Sequence, residues 1–247
     1  MFKSFCFLCV FTFAVVAYAQ TAPQNPSDRN GKQPGNGNPG ALIPPPPKTP
    51  EAILNYLIPD NLAYPGRLEN LPKPDAINAL TKAQPNAFGQ RADSIAFLLI
   101  LLDQNVETNR QRLISSLREC RPDPDNCNDQ VIEYLGSLYA RGDNQVIEPL
   151  IDAAPNADSV VAEGLGSTFE DMIAANARPF LVALGRRTPA QQREVCQLVA
   201  AGDGGGMPED TASEVTDALE KLAREVGPVS AAAMSCLSQV KAFVPRK

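Results

Sequence analysis

The stretch Gln130–Leu150, QVIEYLGSLYARGDNQVIEPL, decides the fold class of this chain. Its first half places apolar side chains at the i, i+1, i+4, i+7 and i+8 spacing of one helix face. These side chains are Val131, Ile132, Leu135, Leu138 and Tyr139. The stretch therefore predicts an amphipathic helix, a turn at Arg141–Asn144 and a second helix that begins near Val146.

The same helical periodicity continues through most of the chain after Pro50, and no convincing strand alternation interrupts it. The helix predicted at 92–102 is apolar on all sides from Ile95 onward, which is typical of a central buried helix. The predicted helices lie near residues 50–56, 74–82, 92–102, 106–120, 131–139, 146–151, 160–173, 180–184, 189–201, 215–226 and 229–243. We expect an all-α fold in which short turns join antiparallel helix pairs.

Helix boundaries are best marked toward the C-terminus. Thr188-Pro189-Ala190-Gln191 has the pattern of a capping box with proline at the first helical position. Gly202–Gly206 predicts a turn, and Gly227-Pro228 predicts the end of the helix before it. Gly164–Ser167, GLGS, lacks the lysine of a phosphate loop, so we interpret its glycines as a site of close helix packing.

An internal echo suggests a repeat. The motif QVIEYL at Gln130–Leu135 reappears fifteen residues later as QVIEPL at Gln145–Leu150. Over about residues 128–201 the chain resembles HEAT-like α-helical repeats, in which a helix, a turn and a second helix form one unit. The resemblance implies an α-solenoid, a curved stack of helix pairs with an extended binding face. The alternative is an irregular helical bundle without repeat ancestry.

The first nineteen residues have the three parts of a secretory signal peptide. Lys3 supplies a positive charge, residues 5–16 are almost wholly apolar, and residues 17–19 read Ala-Tyr-Ala. Cleavage between Ala19 and Gln20 is predicted, with a periplasmic or secreted mature protein. The apolar run is shorter than the ~20 residues that a spanning helix needs, and no second long run follows it, so we expect no membrane span after cleavage.

Residues 20–50 differ sharply in composition from the rest of the chain. Proline, glycine and asparagine dominate there, and residues 44–47 are four consecutive prolines. Such a segment buries too little apolar surface to offset its ordering entropy, so we expect a disordered linker. A docking site for a proline-binding domain is the functional alternative. The predicted helical globular domain then spans residues 51–247.

Four cysteines remain after signal cleavage. An even count in an exported chain suggests two disulfides. Cys120 and Cys127 flank a short polar loop and form one predicted pair, which leaves Cys196 with Cys236. Buried free thiols are the alternative.

The residue inventory excludes several kinds of chemistry. The chain contains no histidine, which excludes Ser-His-Asp and Cys-His nucleophile pairs and His-based zinc sites. The acidic stretch Asp123–Asp129 resembles the start of a calcium loop, but it lacks the loop's glycine and its bidentate glutamate. A net charge of −6 without a basic cluster argues against nucleic-acid binding. We expect no metal and no cofactor.

Carboxylates remain as candidate catalytic groups. Glu163 and Glu170 lie seven residues apart on one predicted helix, and two carboxylates can carry out glycoside hydrolysis. Acidic side chains on a helix face are more often simply solvated. The sequence therefore favours an exported binding or scaffold protein that engages a protein or a cell-envelope component. A carboxylate-dependent envelope hydrolase is the alternative.

Overall fold

A computed structural model describes residues 46–119, 130–155, 157 and 159–243, which belong to one compact unit from Pro45 to Lys247. Among these residues the regular structure is helical and contains no strand, which confirms the predicted all-α class. The predicted signal peptide, most of the predicted linker, the Cys120–Cys127 pair and the acidic stretch 123–129 lie outside the described residues.

The helices follow the predicted order along the chain. They are α1 (Pro50–Leu57), α2 (Lys73–Ala83), α3 (Gly89–Leu101), α4 (Val106–Glu119), α5 (Gln130–Ala140), α6 (Ile147–Ala153), α7 (Ser159–Leu184), α8 (Pro189–Ala201), α9 (Glu209–Ala223) and α10 (Pro228–Phe243). Short 3₁₀ segments lie at Pro59–Asn61, Pro65–Asn70, Gln84–Asn86 and Asn144–Val146.

Local sequence signals set several helix ends. The Thr49 hydroxyl accepts the Ala52 N–H at 3.2 Å, and Pro50 occupies the first helical position of α1. Thr188 and Gln191 form the predicted capping box at the start of α8. Helix α8 ends at Gly202, whose φ of 58° lies in the left-handed region that favours glycine.

Helix α3 connects two apolar clusters. One cluster joins α1, α2 and α3, and the larger one extends from the other face of α3 to α10. Residues 92–100 are all buried, which confirms the predicted central helix. Phe97 of α3 stacks on Tyr134 of α5, with ring centroids 4.3 Å apart. Asp93 and Ser94 are among these buried residues of α3, and their polar side chains need hydrogen-bond partners inside the protein.

Helix α7 joins the two helices predicted at 160–173 and 180–184, and its helical path breaks at Asn176. Pro179 explains the break, because proline has no N–H for the carbonyl four residues earlier and its ring crowds that carbonyl. The hydroxyl of Tyr139 in α5 donates to the Asn176 carbonyl. Helix α5 therefore contacts the backbone of α7 at the break itself.

Helices α7 and α8 approach closely at Gly166. A Cβ on this residue would lie 2.2 Å from the carbonyl oxygen of Gly202 and 2.8 Å from that of Leu198. No side chain fits at such distances, so the predicted role of the GLGS stretch in close helix packing is confirmed.

A disulfide joins α8 to α10. Cys196 and Cys236, both fully buried, are bonded across Cα atoms 4.5 Å apart and forty residues of sequence. This confirms the second predicted cysteine pair and excludes buried free thiols at these two positions.

Three apolar residues at ends of the predicted helices 160–173, 215–226 and 229–243 are exposed. The helix predicted at 215–226 ends at Ala223 as α9, and Val226 beyond it is fully exposed. Phe243, in the last turn of α10, and Val160, in the first turn of α7, are also more than half exposed. At a helix end the neighbouring helix no longer covers the face, so apolar spacing there does not guarantee burial.

The echoed motifs occupy helices of unequal regularity. The first copy begins α5, whereas the second begins in the 3₁₀ segment Asn144–Val146 and continues into α6. Helix α5 packs more extensively against α7 than against α6, and α10 packs most extensively against α8. Helix pairs that are consecutive in sequence are therefore not always the best packed.

Candidate functional site

Buried charge in the first half of the unit takes part in structural contacts. Arg110 of α4 donates to Asp143 at 2.7 Å, to Gln145 at 2.6 Å and to Glu107 at 2.5 Å. A hydrogen bond from Gln111, together with the positive charge of Arg110, lowers the pKa of Glu107 below its ordinary value. This network ties α4 to the turn that follows α5.

Asp93 joins α3 to α4 in the same way. Its carboxylate accepts the Ser116 hydroxyl at 2.8 Å and lies 3.1 Å from the Arg112 Nε. A buried carboxylate needs such partners because burial penalises its charge. These contacts explain the buried acid of α3 without a catalytic role.

The two predicted catalytic carboxylates lie beside the glycine-rich turn Gly202–Gly206. A Cβ on Gly202 would stand 2.5 Å from the Glu170 Oε1, and one on Gly204 would stand 3.2 Å from the Glu163 Oε1. Glu163 is exposed, whereas Glu170 is only 5 % exposed. The structure thus brings both acids to the same turn but gives them different access to solvent.

This arrangement restricts what the two carboxylates can do together. Both stand on α7, and seven residues of helix separate their Cα atoms by about 10 Å. A glycosidase holds its two carboxyl groups on opposite sides of the bond that it cleaves. A substrate that reached the Glu170 carboxylate would have to displace the Gly202 backbone lying against it.

A different surface, formed by Tyr56, Tyr64 and Arg67, combines exposure with fixed geometry. We call these three half-exposed residues the aromatic ledge. The Arg67 guanidinium carbon lies 4.3 Å from the centre of the Tyr64 ring and 5.2 Å from that of the Tyr56 ring. Both distances are within the range of cation–π attraction.

Backbone and side-chain hydrogen bonds fix the aromatic ledge. Arg67 Nη1 donates to the Tyr56 carbonyl at 2.6 Å, and Asn70 donates to the Tyr56 hydroxyl at 3.3 Å. The Tyr64 N–H donates to the Leu57 carbonyl at 2.9 Å. These bonds fold the 3₁₀ segment Pro65–Asn70 back on the last turn of α1, which brings the two tyrosines around the arginine.

The chain just before Tyr64 is anchored in the core. The Ala63 N–H donates to the Tyr134 hydroxyl at 3.0 Å, and the Ser94 hydroxyl donates to the Asn61 carbonyl at 2.6 Å. Because the Ser94 proton is used there, the Tyr134 hydroxyl donates to Ser94 across their 2.9 Å contact. Burial raises the pKa of Tyr134 above its ordinary value, so the shift does not weaken its role as a donor.

A shallow depression on the outer face of α2 is a second surface feature. Its volume is about 620 Å³, and its described lining residues all belong to α2: Lys73, Pro74, Ile77, Asn78 and Thr81. Because one helix supplies this lining, no side chain among the described residues faces it from the opposite side. The aromatic ledge is the better-defined surface.

The residues that the structure describes offer neither a metal-ligand cluster nor a membrane-spanning helix. They contain no group of three or more histidine, cysteine, aspartate or glutamate side chains that could hold a metal ion. Within the same residues, no helix is both long enough and apolar enough to span a bilayer.

Sequence reasoning did not find the aromatic ledge. The sequence shows two tyrosines and an arginine within twelve residues, around Tyr64-Pro65-Gly66. Periodicity does not predict that this irregular stretch folds back on α1. A prolyl turn flanked by aromatic residues was the one available signal.

The chain matches no known family model, no curated protein and no solved structure, so the function is argued from its own residues alone.

Proposed function

We propose that this protein is an exported binding module that engages a polypeptide partner through the aromatic ledge. The observation that carries the proposal is the Tyr56–Arg67–Tyr64 stack, which is half-exposed and held by hydrogen bonds to backbone and side chains. Tyrosine and arginine are the residue types enriched among binding hot spots.

Pre-organisation supports this proposal energetically. Immobilising a flexible side chain on binding costs about 0.5–1.5 kcal/mol. Tyr56, Tyr64 and Arg67 already contact one another and the backbone in the folded protein. Binding a partner would therefore not have to order these side chains. The anchoring of Ala63 by Tyr134 extends this rigidity to the loop that leads into the ledge.

Export forms the second part of the proposal. It rests on the signal-peptide pattern of residues 1–19 and the predicted cleavage after Ala19. The buried Cys196–Cys236 bond supports it, because such bonds persist mainly in oxidising compartments. A protein partner or a component of the cell envelope would be encountered in such a compartment.

The architecture of the module completes the proposal. The echo at 130–135 and 145–150 supports a HEAT-like stack, in which each helix pair contacts only its neighbours. Helices α7 and α10 pack against each other and each packs against both α8 and α9, which supports an irregular bundle for the C-terminal part of the unit. We propose the bundle there, with any repeat confined to α5 and α6.

A carboxylate-dependent hydrolase is the alternative function. The observation in its favour is that Glu163 and Glu170 lie against the same glycine-rich turn. The burial of Glu170 and the position of both acids on one helix weigh against it. Substitution of Arg67 should impair the binding function, whereas substitution of Glu163 or Glu170 should impair the hydrolase function, so mutagenesis separates the two.

The experiment is a quantitative pull-down from extracts of the compartment to which the protein is exported, read by mass spectrometry. We compare the wild type with Arg67→Ala and with Arg224→Ala, a matched control whose arginine is exposed on the far part of the chain. We expect one stoichiometric partner that is retained by Arg224→Ala and reduced at least tenfold by Arg67→Ala.

Two outcomes would contradict the binding proposal. One is a partner recovered equally well by Arg67→Ala. The other is the absence of any partner together with turnover of a glycan substrate that Glu163→Gln and Glu170→Gln abolish.

A further inference from the structure

We infer that the occupant of the aromatic ledge is the segment Pro46–Lys48 of a second copy of this chain, so that the protein forms a two-fold dimer. The inference rests on the proposed function, because it names the partner of the same surface.

The chemistry of the segment fits the aromatic ledge. Residues 44–47 are consecutive prolines followed by Lys48. Pro46 and Lys48 are exposed, and Thr49 leads into α1 with extended backbone, φ −95° and ψ 148°. A proline run favours the polyproline II conformation in advance of binding, and aromatic-lined surfaces recognise it by stacking against the proline rings.

Charge favours the same pairing. Residues 20–50 contain three basic side chains and one acidic one, whereas the whole chain has a net charge of −6. Near the aromatic ledge, Asp60 and Glu69 are both exposed and lie in the two 3₁₀ segments that flank Tyr64. With the proline rings on the tyrosines, Lys48 would meet these carboxylates.

The geometry of α1 explains why the occupant comes from a second copy. The helix has eight residues, about 12 Å of length. The segment precedes its first turn, and Tyr56 lies in its last turn, so a copy's own segment and ledge stand at opposite ends of the helix. Two α1 helices packed antiparallel would place each segment beside the other copy's ledge.

Such an arrangement closes on itself. Each copy gives one segment and receives one, which is the isologous contact of a two-fold dimer. The outer face of α1 suits the approach, because Ala52 and Asn55 are small and exposed there.

Sedimentation velocity of the purified protein over a concentration series tests the inference. We expect a reversible dimer. Tyr64→Ala, which removes a stacking ring, and the double substitution Pro46→Ala with Pro47→Ala should each raise the dimer dissociation constant at least tenfold. Tyr64→Phe keeps the ring and should stay within threefold of the wild type. Thermal melting checks that each variant is folded. The two prolines substituted in the proline variant lie outside the core, so we expect that variant to keep its fold.

A mixing experiment sharpens the test. The Tyr64→Ala chain retains its segment, and the proline variant retains its ledge. A dimer of either variant alone has no intact segment–ledge contact. In a mixed pair, the segment of the Tyr64→Ala chain can bind the ledge of the proline variant, which restores one contact. We expect the equimolar mixture to associate more strongly than either variant alone.

Three results would overturn the inference: a monomer at every concentration, a dimer that neither variant weakens, or a mixture no stronger than its components. The proposed function can fail separately. If the protein is monomeric while the pull-down partner still depends on Arg67, the ledge binds a foreign polypeptide and only the second-copy occupant is wrong.

Discussion

Gly202 combines a backbone conformation and a contact that disfavour any side chain. Its φ is 58° and its ψ is −131°, and a Cβ there would lie 2.5 Å from the Glu170 carboxylate. Gly206 also has positive φ, 86°, but a Cβ on it would meet nothing within 4 Å. The two residues therefore separate the cost of backbone strain from the cost of collision with Glu170.

We expect Gly202→Ala to lower the free energy of unfolding by about 3 kcal/mol, from strain plus overpacking. Gly206→Ala should cost about 1 kcal/mol, from strain alone. Urea denaturation of both variants measures the difference. Equal losses would mean that the Glu170 carboxylate moves away freely from the turn.

Tyr139 should make stability depend on alkaline pH. Burial raises the pKa of its hydroxyl to about 12, above the ordinary value of about 10. A raised folded-state pKa means that the stabilisation is complete below pH 10 and is lost as pH rises toward 12. Denaturation midpoints measured from pH 8 to pH 12 should therefore fall above pH 10.

Tyr139→Phe provides the control for this pH dependence. At neutral pH it should cost about 1–3 kcal/mol, because the Asn176 carbonyl loses its donor. Above pH 10 its stability should fall less steeply than that of the wild type. Parallel pH profiles for the two proteins would show that Tyr139 is not the titrating group.

At the scale of secondary-structure elements, the Cys196–Cys236 bond should be the strongest single constraint on the C-terminal helices. It closes a forty-residue separation, for which the chain-entropy model gives about 4 kcal/mol. Cys196→Ala with Cys236→Ala should lower the free energy of unfolding by that order. The control is a reducing agent, which should destabilise the wild type by about that amount more than the double variant, whose predicted Cys120–Cys127 bond it can still reduce.

The sequence predicted the helices well because each needs one apolar face at a regular spacing. Leu135 and Leu138 are both buried as that spacing requires, and α1 and α2 appear within two residues of their predicted bounds. Val226 shows where this reasoning ends, since no neighbouring helix covers the chain beyond Ala223. The two helices predicted at 160–173 and 180–184 instead form one helix, α7, whose path breaks at Asn176 in the interval between them.

The aromatic ledge could not be predicted for a different reason. It depends on the return of an irregular segment against α1 and on the anchoring of that segment by Ser94 and Tyr134, which are distant in sequence. Glu163 and Glu170 were correctly placed on one helix, but the burial of Glu170 depends on the turn that follows α8. Residue spacing carries no information about either contact.

At the scale of the whole molecule, we propose that the protein binds a polypeptide through the surface around Tyr56, Tyr64 and Arg67, and that the carboxylates beside Gly202 take no part in catalysis. Glu69 and Asp203 are exposed residues next to these two regions, respectively.

The most direct test is photo-crosslinking in the cells that produce the protein, with a photoreactive residue placed at Glu69 or, in a parallel chain, at Asp203. We expect a discrete crosslinked product from Glu69, to a second copy or another polypeptide, and none from Asp203. A product from Asp203 alone would place the functional surface at the glycine-rich turn and contradict the proposed role of the aromatic ledge.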